Sequence, residues 1–95
     1  MYYILTYHFT TDYLEARQPY RAAHFEHLQP YIGGGQLLLG GATASPADRG
    51  VLIFHVSDPS ILQTFIDSDP YVVNGVVTDY SVQEWTVVAG SLYTA

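Results

Sequence analysis

Residues 36–57 read QLLLGGATASPADRGVLIFHVS. The run 36–42 is apolar and ends on two glycines, which suits a second, buried strand. The run 51–57, VLIFHVS, is β-branched and aromatic and reads as a third strand. Between them, TASPADRG at 43–50 is a turn or loop by composition. Two strands therefore follow one another with no helix between, and the elements on either side decide what they belong to.

Upstream, residues 2–9, YYILTYHF, form a strand. One face carries Tyr3, Leu5, Tyr7 and Phe9, the other Tyr2, Ile4, Thr6 and His8, so both faces are rather apolar. That suggests a strand covered on both sides. Thr10, Thr11 and Asp12 offer helix N-caps, and 13–32 reads as a helix. Leu14, Gln18, Arg21, Phe25, Leu28 and Ile32 recur at spacings of three and four, the period of one helical face. Pro19 would remove a hydrogen bond in mid-helix, which predicts a short first turn at 13–17 and a main helix from about 19, ended by Gly33, Gly34 and Gly35. Downstream, Asp58-Pro59 opens a short helix whose inner face is Ile61, Leu62, Phe65 and Ile66. Asp69-Pro70 starts another turn, and 76–88 is a long last strand. The order β-α-β-β-α-β is the ferredoxin-like, split βαβ arrangement: an α+β fold with two helices on one face of a four-stranded antiparallel sheet. The other face would expose Tyr, Leu, Val and Trp85, and a patch of that kind marks an interface. A homodimer is expected, with sheets packed face to face.

With 95 residues, one domain spanning 1–95 is expected. Apolar residues make up 48% and charged ones 13%, which excludes a disordered chain. The formal charge is −6 and the three basic residues are all arginines, so neither nucleic acid nor an anionic membrane surface is an expected partner. Without cysteine there is no disulfide, thiolate nucleophile or Cys-ligated metal. The N-terminus does not read as a signal peptide, and no apolar run approaches the roughly 18 residues of a membrane span. A soluble, cytoplasmic protein is expected.

Arg21 and His24 lie three apart on the helix, on or beside its inward stripe, whereas His27 lies on another face and is expected to be solvated. Polar groups on an inward stripe need partners. One account makes His24 a structural histidine and pairs Arg21 with an acid. The other has Arg21 bind an anionic substrate group while His24 moves a proton, for which an ordinary imidazole pKa of about 6.5 is suited. In Asp67-Ser68-Asp69-Pro70-Tyr71, Asp69 either caps the next turn or orients His24 by accepting its ring N–H, and an adjacent carboxylate favours the imidazolium. Tyr71 could donate a phenol hydrogen bond to substrate. Gly40-Gly41 permits close backbone approach but is no phosphate loop. His8 and His55 could meet across a sheet, yet no carboxylate spacing supports a metal site, and none is expected.

Three stretches together, Arg21-Ala-Ala-His24-Phe-Glu-His-Leu28, Gly35-Gln-Leu-Leu-Leu-Gly-Gly41, and Asp67-Ser-Asp-Pro-Tyr71 with Gly75 and Tyr80–Trp85, resemble the YciI-like (YCII-related) family. The resemblance runs over nearly the whole chain. It implies a dimeric ferredoxin-like fold with a cleft near the subunit interface and a His/Asp centre. Carried over, the histidine is His24 and the aspartate Asp69, with Asp67 and Asp48 as neighbours in the same region, while Arg21 and Tyr71 line the cleft. Family members often carry Gly-Pro where this chain has Gly41-Ala42, which alters the loop expected to close the cleft. The expected function is a small cofactor-free lyase or isomerase acting on a small anionic, cyclic or aromatic molecule. The alternatives are a non-catalytic dimeric ligand-binding or assembly module and a cofactor-free monooxygenase.

Overall fold

The computed structural model describes residues 1–93. Its elements are β1 (Tyr2–Phe9), α1 (Tyr13–Ala16), a 3₁₀ turn at Gln18–Tyr20, α2 (Arg21–Gly33), β2 (Leu37–Ala42), β3 (Arg49–His55), α3 (Ser60–Ser68), α4 (Pro70–Val73) and β4 (Val77–Trp85). The strands form one sheet in the order β2-β3-β1-β4, with every neighbouring pair antiparallel. This is the α+β arrangement read from the strand and helix order. The short first turn expected ahead of the main helix is α1, and the turn expected at Asp69-Pro70 is the short helix α4.

Alternation along β1 sets the two sides of the sheet. Tyr3, Leu5 and Tyr7 are buried under the helices. Opposite them on β3 stand Phe54, Leu52 and Gly50, and α3 closes the core with Leu62, Phe65 and Ile66, as its period predicts. Pro59 precedes α3, and the Asp58 carboxylate accepts the Ser60 N–H at 2.9 Å.

The stripe read along 13–32 is corrected in several places. Leu14, Phe25 and Ile32 are exposed. The separate short first turn stands as expected, but Pro19 lies in the 3₁₀ turn that follows it, so the main helix starts at Arg21 rather than at about 19. The face of α2 that meets the core carries His24, His27, Leu28 and Tyr31. His27 is therefore half-buried rather than solvated: its ring lies 4.8 Å from that of Phe65, and its Nε2–H donates to the Phe65 carbonyl at 2.9 Å. Asp12 stands before α1 in the left-handed region with no side-chain cap bond. In β2, expected to be buried, only Leu37 is, because it is an edge strand. The third strand begins two residues earlier than read, at Arg49, and the last strand is Val77–Trp85 rather than 76–88.

On the other side of the sheet His55, Tyr2 and Trp85 stand in one row across β3, β1 and β4. Leu39, at 72% exposure, and Trp85, at 43%, lie on this side. Residues 87–93 run beside it and enclose, with Tyr2, Ile53 and Trp85, a hollow of about 370 Å³. No helix among the described residues is long and apolar enough to cross a membrane.

Candidate active site

Asp69 ends α3 and begins α4. Its extended backbone (φ −66°, ψ 122°) turns the chain sharply, and Pro70 fixes the first position of the next turn. The side chain is 0% exposed. A buried carboxylate is sustained only by hydrogen bonds, and Asp69 accepts three. Oδ1 receives the Tyr71 backbone N–H at 3.0 Å and His24 Nδ1 at 2.7 Å, and Oδ2 receives the Tyr7 hydroxyl at 2.7 Å. Cap and histidine orienter, two alternatives at the level of sequence, are one and the same group.

His24 reaches Asp69 from the first turns of α2. Its ring lies flat on that of Tyr71, with centroids 3.8 Å apart and planes within 5°. With Nδ1 committed to the carboxylate, the opposite nitrogen, Nε2, is the edge left for a cleft that His24 also lines. An imidazole held this way takes a proton at Nε2 when neutral and gives one when charged.

The cleft has a volume of about 280 Å³, room for a molecule near the size of a single ring. Its floor is the inner side of β2 and β3, where Gly40, Gly41, Ala42 and Gly50 supply little or no side chain. A Cβ at 50 would lie 2.7 Å from Phe9 Cζ, so any larger residue forces the Phe9 ring to move. The walls are rings: Phe9 stacks on Tyr13 at 3.7 Å, and Tyr13 meets Tyr71 edge-on at 6.3 Å. Arg17 and Arg21 complete the lining.

Burial, and then the Asp69 charge and hydrogen bond, push the Tyr7 phenol well above the ordinary tyrosine range, so Tyr7 is a permanent donor. Burial also raises Tyr71, while the Arg21 and Arg17 guanidiniums act in the opposite direction. The Tyr71 hydroxyl is buried and donates to no partner, with the Arg21 guanidinium close enough to act on its oxygen.

The structure thus brings Arg21, His24, Asp69 and Tyr71 together. Asp67 is exposed and bonds Gln63, and Asp48 is exposed in the β2–β3 loop beside Thr43, so neither contacts His24. Tyr7, Tyr13, Arg17 and Gly50 were not singled out from the sequence. Tyr7 had a signal, a hydroxyl on the inward face of β1 that needs a partner. Among the described residues no cluster of three His, Asp or Glu could hold a metal ion.

The sequence profile of the YCII-related domain matches residues 1–86. The chain belongs to the YCII-related family. Among solved structures, this YCII-related chain is similar to a 5-chloro-2-hydroxyhydroquinone dehydrochlorinase from Burkholderia phenoliruptrix in complex with 2,5-dihydroxybenzoquinone. The TM-score is 0.76 at 20% identity, covering 90% of this chain and 94% of that one. It is also similar to a protein from Agrobacterium tumefaciens, with TM-score 0.56 at 14% identity, covering 87% and 89% of the two chains. At these identities the likeness establishes a shared fold for the YCII-related chain. No curated protein matches its sequence.

Proposed function

We propose that the protein is a small acid/base enzyme that takes a small anionic, cyclic or aromatic molecule into this cleft and moves a proton with His24, in an elimination or isomerisation. The observation that carries the reading is the 2.7 Å contact between His24 Nδ1 and a fully buried Asp69, which leaves Nε2 for the cleft. Asp69 is the orienting partner and Arg21 the anion anchor. Tyr71 supports the imidazole face and holds an uncommitted hydroxyl to donate to substrate. The chemistry needs side chains alone and no cofactor. The dehydrochlorinase that shares the fold acts, by its name, on a chlorinated hydroxyhydroquinone, which makes such compounds the first substrates to assay.

The decisive comparison is turnover by the native protein and by His24→Ala. A positioned acid/base contributes roughly 10²–10⁴-fold, so His24→Ala is expected to lose that much while binding persists. Turnover within tenfold of the native rate overturns the role of His24. Binding by both proteins with no turnover by either identifies a ligand-binding module instead.

The same proposal includes a homodimer through the sheet face bearing Leu39, Val51 and Trp85, whose exposure leaves apolar area for a second copy to cover. Sedimentation of the native protein against Leu39→Glu tests it: a dimer converted to monomer supports the assignment, and an unchanged state overturns it.

A further inference from the structure

The chain has nine carboxylates and only three basic side chains, Arg17, Arg21 and Arg49. Two of the three line one small cleft, and no carboxylate lines it with them. Among the described residues neither guanidinium is paired with an acid, the one ion pair being His24–Asp69. Each lies against an aromatic ring instead: Arg17 over Tyr13 at 5.0 Å and Arg21 over Phe25 at 4.8 Å. In so acidic a chain, two cations kept from acids and placed on rings form a receptor for negative charge supplied from outside.

Two buried polar atoms point the same way. The Arg17 Nε–H and the Tyr71 O–H donate to no partner, and both side chains line the cleft. Arg17 spends one nitrogen, Nη1, on the Tyr13 hydroxyl at 3.2 Å, and the rest of its fork is uncommitted. Unmet buried donors are costly, and a ligand oxygen meets them best when it is charged. The negative charge nearest to hand, Asp69, is already covered by three donors and stands behind the His24 ring. A monoanion would balance only one of the two positive charges.

We infer that the ligand of this cleft is a dianion, a flat molecule with two negatively charged oxygen groups, and that Arg17 selects it together with Arg21. The inference rests on the cleft being the ligand site, as in the proposed function, but not on His24 being the catalyst.

Calorimetric titration with benzoate and with phthalate, isophthalate and terephthalate tests it, since these share one ring and differ in charge number and spacing. At least one dicarboxylate is expected to bind about tenfold or more tightly than benzoate. Arg17→Met, checked by its melting curve, is expected to lose that margin, and Arg17→Lys to keep part of it. Arg49→Met, which removes a cation outside the cleft lining, is expected to retain the full preference, and because the readout is binding rather than turnover the outcome does not depend on the catalytic role of His24. Equal affinity for benzoate and all three dicarboxylates overturns the inference. So does an undiminished preference in folded Arg17→Met, or the absence of binding by all four acids.

Discussion

The Tyr7 hydroxyl donates to Asp69 Oδ2 at 2.7 Å, joining β1 to the α3–α4 corner across 62 residues of sequence. Both groups are almost fully buried. Tyr7→Phe keeps the ring and strands one carboxylate oxygen. The expected cost is about 1–3 kcal/mol of stability, read from urea unfolding. A fall in kcat with little change in KM is expected alongside it, because Tyr7 acts on the carboxylate that positions His24. A variant as stable and as active as the native protein would show that this bond has no consequence.

Asp69→Asn removes the charge and spares the geometry. The amide oxygen can still accept from His24 Nδ1 and the Tyr71 N–H, and the amide nitrogen can donate to the Tyr7 hydroxyl oxygen, which can accept. Folding and the α4 cap are therefore expected to persist. Turnover is expected to fall, though less than in His24→Ala, since the imidazolium formed during proton transfer loses its counter-charge. Unchanged turnover would mean that Asp69 serves orientation alone.

At position 50 the fold and the cleft meet. A methyl group there would lie 2.7 Å from Phe9 Cζ, and the Phe9 ring is stacked on Tyr13. Gly50→Ala is expected to push Phe9 toward the cleft and cost about 1–3 kcal/mol of stability. Dicarboxylate affinity is expected to drop as well, and calorimetry on the purified variant reads both effects. Native affinity in this variant would show that the Phe9–Tyr13 wall takes no part in binding.

Alkaline pH tests the buried phenols. In the unfolded chain Tyr7 ionises near its ordinary value of about 10, whereas in the fold its pKa is raised. Below pH of about 10 both states keep the proton and stability is unaffected. Above it only the unfolded state releases one, so stability is lost as pH rises toward the folded value. Tyr71 is shifted the same way. The melting temperature is expected to fall above pH of about 10, and to fall less steeply in Tyr7→Phe. Parallel curves for the two proteins would rule Tyr7 out as a source.

Much of the architecture is legible in local pattern. The alternation of β1 and the Leu62, Phe65, Ile66 face of α3 appear as read. The inward face of α2 does not, and the reason is chemical. Phe25 and Ile32 outrank histidine and tyrosine in hydrophobicity, so they draw the stripe toward themselves. His24 and His27 turn inward because their polar nitrogens find Asp69 and the Phe65 carbonyl, 45 and 38 residues away. Such partners have no local signal. Arg17 escaped notice likewise, because the 3₁₀ turn at Gln18–Tyr20 sets the spacing between it and α2.

One oxygen atom, Asp69 Oδ1, both closes the turn at Pro70 and fastens the imidazole. Formation of the corner and fixing of the imidazole are thus tied to one atom. A nascent chain with that corner still unformed has a histidine free to tumble, and a chain with the corner formed has one already aimed. Any engineering that loosens the corner, by lengthening it or replacing its proline, would release the imidazole along with it.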